Sequence, residues 1–154
     1  MKIFAIGAHF DDVEIGCGGT LLRRAAEGDQ IFILTVTNSE YSKPNGGPKR
    51  RGNVAKAEAQ EAAKILGAEL ICLNKPCLDL IHNEELVYDI EDVVQEVKPD
   101  ILLTHWGGDF HSDHVAVSLS SLRASRRTPT ILSYRSNWYA TEQVFKGSYY
   151  RACA

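Results

Sequence analysis

The chain has 154 residues, 44% hydrophobic and 24% charged, with 12 Gly and 5 Pro, a balance that suits one folded domain and excludes intrinsic disorder. Lys and Arg number 17 against 20 Asp and Glu, a net charge of −3, so no overall field favours nucleic acid or an anionic membrane surface. No apolar run approaches the roughly 20 residues of a membrane span, Met1-Lys2-Ile3-Phe4 carries no signal-peptide pattern, and cysteines at 17, 72, 77 and 153 are too few and too uneven for a disulfide scaffold. The expectation is a single cytoplasmic domain over residues 1–154, with no nucleic-acid or membrane partner.

Ile3 to Gly7 (IFAIG) is a short apolar run that stops at Ala8-His9, as a buried parallel strand does. Val13 to Glu27 is helical, from the spacing of Val13, Ile15, Leu21, Leu22, Ala25 and Ala26, with Gly28 closing it. Glycines 16, 18 and 19 weaken its first turns. Ile31 to Val36 is a second strand, and Asn38 to Gly52, rich in Gly, Pro, Asn and Ser, is a long loop of the kind that carries function. Asn53 to Leu66 is an Ala-rich helix ended by Gly67, and Glu69 to Leu73 a third strand. Glu84 to Val97 places Leu86, Ile90, Val93, Val94 and Val97 on one helical face. Asp100 to Thr104 is a fourth strand, Asp113 to Ala124 a fourth helix and Thr130 to Tyr134 a fifth strand. No internal repeat is visible.

Strands alternating with helices predict an α/β fold with a mostly parallel five-stranded sheet and helices on both faces. The common doubly wound order 3-2-1-4-5 makes strands 1 and 4 neighbours, with a ligand crevice outside their carboxyl ends. The two most unusual stretches, AHFDDVE and THWGGDFHSDH, both fall there.

The first stretch lacks a G-x-G-x-x-G register, and two adjacent carboxylates repel a pyrophosphate. An N-cap accounts for one of its aspartates, but not for His9 together with Asp11 and Asp12. The second holds Asp109, His111, Asp113 and His114, with His105 just upstream. His105 and His82, as single histidines, read as structural. His111-x-x-His114 meeting His9-x-x-Asp12 supplies imidazoles plus a carboxylate, the donor set of a hydrolytic zinc with one position open. The same donors hold non-haem iron, and a helix cap with solvated carboxylates is the competing reading.

AHFDDVEIGCGGTL resembles the AHPDDxE-GCGGTL signature of the LmbE/PIG-L-type zinc-dependent N-acetylglucosaminyl deacetylases, and GDFHSDH resembles their D-x-H-x-D-H signature. The likeness extends through VTNSEY, the helix ending KILG, and KPDILLTH. Phe10 stands where the family usually has Pro, and the chain is expected to be truncated or divergent after Phe145 to Tyr149, with one wall of the site or a homo-oligomer contact missing. The resemblance implies a Rossmann-like three-layer sandwich and removal of acetyl from an N-acetylated amino sugar or glycoconjugate. It implies His9, Asp12 and His114 as ligands of one Zn2+, with Fe2+ as the alternative. It also implies Asp11 as general base, His111 as oxyanion stabiliser and proton donor, and Asp113 orienting or polarising His111. These roles suit the chemistry, because amide hydrolysis needs a polarised carbonyl, an acidified water and a proton donor.

Lys43, Lys49, Arg50 and Arg51 face only Glu40 in the long loop, by default a solvated basic loop and otherwise a lid. Arg51 is the substrate contact that the resemblance suggests. Tyr134, Trp138, Tyr139 and Phe145 could stack on a sugar, though packing is the simpler role. The rival functions are a metal-dependent phosphoesterase and a sugar- or metal-binding module without turnover.

Overall fold

A computed structural model describes residues 1–136. Trp138, Tyr139, Phe145 and Tyr149, singled out in the sequence, lie outside them. The elements are β1 (Lys2–Gly7), α1 (Asp12–Ala26), β2 (Gln30–Thr37), β3 (Tyr41–Ser42), β4 (Pro48–Arg50), α2 (Gly52–Leu66), β5 (Ala68–Lys75), α3 (Glu84–Val97), β6 (Ile101–His105), α4 (Ser112–Ala124) and β7 (Thr130–Tyr134). The five-stranded sheet runs β5-β2-β1-β6-β7, with every pairing parallel. Counted along the chain without the short β3 and β4, this is the expected order 3-2-1-4-5.

Apolar alternation sorts the strands onto two cores. Phe4 and Ile6 of β1, Leu34 and Val36 of β2 and Leu102 of β6 pack under Leu86, Val87, Ile90, Val93, Val94 and Val97 of α3 and Val117 of α4. Ile3, Ala5, Ile31, Ile33 and Leu103 face the other way, against Val13, Cys17 and Leu21 of α1 and Leu66 of α2. Three layers result, and β1 is buried on both sides.

Two departures bear on the site. The loop after β2 folds partly into an antiparallel hairpin, pairing Tyr41 with Arg50 and Ser42 with Pro48. The glycine-rich start of α1 is helical throughout, and Gly16 leaves room for Tyr134, since a Cβ there would collide with the Tyr134 ring. That ring is buried, and its hydroxyl donates to Ile6 O at 2.8 Å. Among the described residues no helix is long and apolar enough to cross a membrane.

Candidate metal centre and active site

β1 and β6 lie side by side and end level, at Gly7 and His105. The segments that follow them therefore meet. The Ala8 N–H donates to His105 Nε2 at 3.1 Å. The Ala8 carbonyl accepts the Thr37 N–H at 2.9 Å and the Thr37 hydroxyl at 2.7 Å. With its polar groups satisfied, this buried bend holds a fixed shape. His9, Asp12 and His114, 105 positions apart in sequence at the extremes, then come into direct contact. His9 Nδ1 stands 3.3 Å from His114 Nε2 and 3.4 Å from Asp12 Oδ2, and His114 Nε2 stands 3.2 Å from Asp12 Oδ1.

The opposite nitrogen of each imidazole is tied to a carboxylate. His9 Nε2 is 3.0 Å from Asp113 Oδ2, and His114 Nδ1 is 3.0 Å from Asp109 Oδ2. A ring N–H donated outward leaves the inward nitrogen as a lone pair, the arrangement that supports imidazole ligands. A tetrahedral ion about 2.0–2.1 Å from each donor needs donors about 3.3 Å apart; the two imidazole nitrogens meet that spacing, and Asp12 approaches His9 through Oδ2, which also accepts the His9 main-chain N–H, and His114 through Oδ1.

Besides the His9, Asp12 and His114 contacts, three other donor sets able to hold an ion occur among the described residues, each sharing one or two members with them: His9, His111 and His114; His9, Cys77 and Asp113; and Asp12, His105 and His114. Hydrogen bonding separates them. The Asp113 N–H donates to His111 Nδ1 at 3.2 Å, which puts the ring hydrogen of neutral His111 on Nε2 and makes that atom a donor. His105 Nε2 already accepts the Ala8 N–H. Both oxygens of Asp113 are occupied, by His9 and the Leu78 N–H on Oδ2 and by the Leu80 N–H on Oδ1.

Burial opposes charge throughout the cluster, and the pairings decide which groups carry it. Burial disfavours imidazolium at His9, but hydrogen bonds to Asp113 and Asp12 outweigh it and raise the metal-free group to about 11. His114 is likewise raised, with burial overcome by Asp12 and Asp109. Asp12, although buried, is held well below the usual carboxylate range by His105, His114 and His9. Burial, then the charges of His114 and His9, push His111 down in the metal-free chain.

Two contacts differ from those the sequence suggests. The Asp113 carboxylate is hydrogen-bonded to His9 and acts on His111 only through its charge. It faces His9 because the loop after β5 presents the Leu78 and Leu80 amides on the far side and fixes the oxygens there. Of the two adjacent arginines, Arg50 is the one that contacts the Phe10–Asp11 turn. Arg50 NH1 donates to Asp11 Oδ2 at 3.0 Å and NH2 to Phe10 O at 2.7 Å, whereas Arg51 is exposed and occupies the N-cap position of α2.

The helix-cap reading of the first cluster also fails. Asp11 stands at the N-cap of α1 and makes no capping hydrogen bond. Its φ of 136° lies in a region that L-residues avoid, at a cost of about 1–3 kcal/mol. His105 and Asp109 are the partners that single residues in the sequence did not reveal. His105 stacks on His114 with centroids 4.0 Å apart. His82 is remote and pairs with Ser120 at 2.8 Å.

Comparison with known proteins shows the family. The profile of PIG-L, GlcNAc-PI de-N-acetylase, matches residues 4–125. The chain is 34% identical to the uncharacterized deacetylase YaiS of Escherichia coli, over 94% of this chain and 80% of that one. It is 27% identical to a 1D-myo-inositol 2-acetamido-2-deoxy-alpha-D-glucopyranoside deacetylase of Corynebacterium glutamicum, over 74% of this chain and about half (49%) of that longer protein. Among solved structures, the conserved protein TT1542 of Thermus thermophilus superposes with a TM-score of 0.76 at 25% identity, covering 90% of this chain and 68% of that one. The chain therefore belongs to the PIG-L (GlcNAc-PI de-N-acetylase) family and is an enzyme of that amide-hydrolysing deacetylase class.

Proposed function

We propose that the chain is a zinc-dependent hydrolase that removes acetyl from an N-acetylglucosamine-type amino sugar or its conjugate. The observation that carries this reading is the triangle of His9 Nδ1, Asp12 and His114 Nε2, 3.2–3.4 Å on each side. Each imidazole is backed by its own carboxylate. These three residues are the assigned ligands of one ion per chain. Zinc is the assigned metal, and the same donors suit Fe2+. A divalent ion there supplies Lewis acidity toward the acetyl carbonyl and an acidified water.

The chain's own residues supply the rest. Asp11, adjacent to a ligand but outside the triangle, is the general base that takes the proton from the attacking water. His111, with Nε2 available as a donor, gives a hydrogen bond to the oxygen on which charge develops. His111 is also the group that gives a proton to the leaving amine. Asp113 and Asp109 hold the two imidazoles in the ligating tautomer. A two-ion phosphoesterase would need additional carboxylate ligands, and Asp113 and Asp109 are already bound to His9 and His114.

The test is amine release from a panel of N-acetylated amino sugars and glycoconjugates, with zinc and with chelator. Zinc-dependent release of one amine per acetate is expected. Stoichiometric zinc binding without release from any member would leave a binding module instead.

A further inference from the structure

Asp11 is held in place by the loop after β2. Ser39, buried and itself at a positive φ of 54°, accepts the Phe10 N–H on its hydroxyl at 2.8 Å. Arg50, carried on β4 and paired across the hairpin with Tyr41, closes the other side. One guanidinium nitrogen takes the Phe10 carbonyl at 2.7 Å and the other takes Asp11 Oδ2 at 3.0 Å. Both polar groups of the Phe10 main chain and the Asp11 carboxylate are thus bound by a single loop. The Phe10 ring is buried against Ala55 and Ala59 of α2, so the residue before Asp11 cannot swing. An L-residue at φ 136° relaxes unless its surroundings over-determine it, and Arg50 is the one contact that grips backbone and side chain together.

We propose that Arg50 is a positioning residue for the general base: it clamps the Phe10–Asp11 turn so that the Asp11 carboxylate is held ready for the attacking water. Its role is distinct from a contact with substrate. The inference rests on the assignment of Asp11 as base. It predicts that losing Arg50 lowers turnover and leaves substrate affinity and ion content in place, since a misplaced catalytic group costs up to about 100-fold in rate.

The experiment compares zinc-loaded wild type with Arg50→Gln, Arg50→Lys, Asp11→Asn and the Arg50→Gln/Asp11→Asn double variant, on whichever acetylated sugar the wild type hydrolyses. In Arg50→Gln, kcat should fall about 10- to 100-fold with KM and zinc content unchanged. Added guanidinium should restore part of kcat, and Arg50→Lys should lie between. In the Asp11→Asn background, Arg50→Gln should cost no further rate. A raised KM at unchanged kcat would make Arg50 a substrate contact, and additive losses of rate would separate it from Asp11; either overturns the proposal. If the wild type hydrolyses nothing, the function assignment fails by itself, and the clamp is then judged on unfolding midpoints of the same proteins. There the two single losses should exceed the double loss by about 1–3 °C, and strict additivity would refute the clamp.

Discussion

Asp11 sits at φ 136° and ψ −22° as the residue before α1, which makes its Cβ a measurable liability. Replacing it with Ala removes the ion pair to Arg50 but keeps the Cβ. The Asp11 side chain is 47% exposed, so after screening the pair contributes only about 0.2–1 kcal/mol. Replacing it with Gly removes the pair and the Cβ together. The strain released is about 1–3 kcal/mol, against roughly 0.5–1 kcal/mol for the extra chain entropy of Gly. Asp11→Gly should therefore be more stable than Asp11→Ala by about 0.5–2 kcal/mol. At about 2–4 °C per kcal/mol for a domain of this size, that is a difference of several degrees. Thermal unfolding in chelator keeps ion binding out of the comparison. Both variants should lose turnover, so a residue costly to the fold would be present for chemistry. A Gly variant melting at or below the Ala variant would show that the turn is unstrained.

Three further outcomes follow from the same contacts. In Asp113→Asn, zinc affinity by equilibrium dialysis should fall about 10- to 100-fold, because the carboxylate supports a ligand imidazole; unchanged affinity with a lower rate would return Asp113 to His111. His9 in the metal-free protein is raised to about 11 and His114 is raised above its ordinary value, so both hold protons in mildly acidic solution and must release them to bind an ion. Below both values affinity should drop about 100-fold per pH unit of acidification, and about 10-fold between them, with calorimetry in buffers of different ionisation enthalpy counting the protons. Gly16→Ala places a Cβ 2.2 Å from a buried Tyr134 ring whose hydroxyl is tied to Ile6. The roughly 1 kcal/mol gained in helix propensity should be exceeded by an overpacking cost of about 1–3 kcal/mol or more, visible as a lower urea midpoint.

Much of the fold is legible in the chain because each of the five sheet strands is a short apolar run bounded by a turn, and the long α3 shows its buried face directly. The β3–β4 hairpin is not legible: its strands are two and three residues of polar or turn-forming type. Its register decides which of two adjacent arginines meets Asp11, a contact of Arg50 that the sequence does not show. The site's location at the ends of β1 and β6 followed from strand order and the two polar clusters. Its pairings did not. Asp113 and His9 are 104 positions apart, and the preference of Asp113 for His9 over its neighbour His111 is set by the Leu78 and Leu80 amides of a third segment. His105 is a single histidine at a strand end, and only packing reveals that it stacks on His114 and takes the Ala8 amide. The backbone conformation of Asp11 leaves no trace in its residue type, since Asp at a helix start is usually a cap.

The most direct test is a zinc titration of the chelated protein, reading bound ion and released amine together on an N-acetylated amino sugar. One zinc should bind per chain, amine release should rise in step and level off at that equivalence, and His9→Ala and His114→Ala should lose both. Turnover that survives chelation undiminished, or full zinc binding by both variants, would contradict a metal-dependent deacetylase centred on His9, Asp12 and His114.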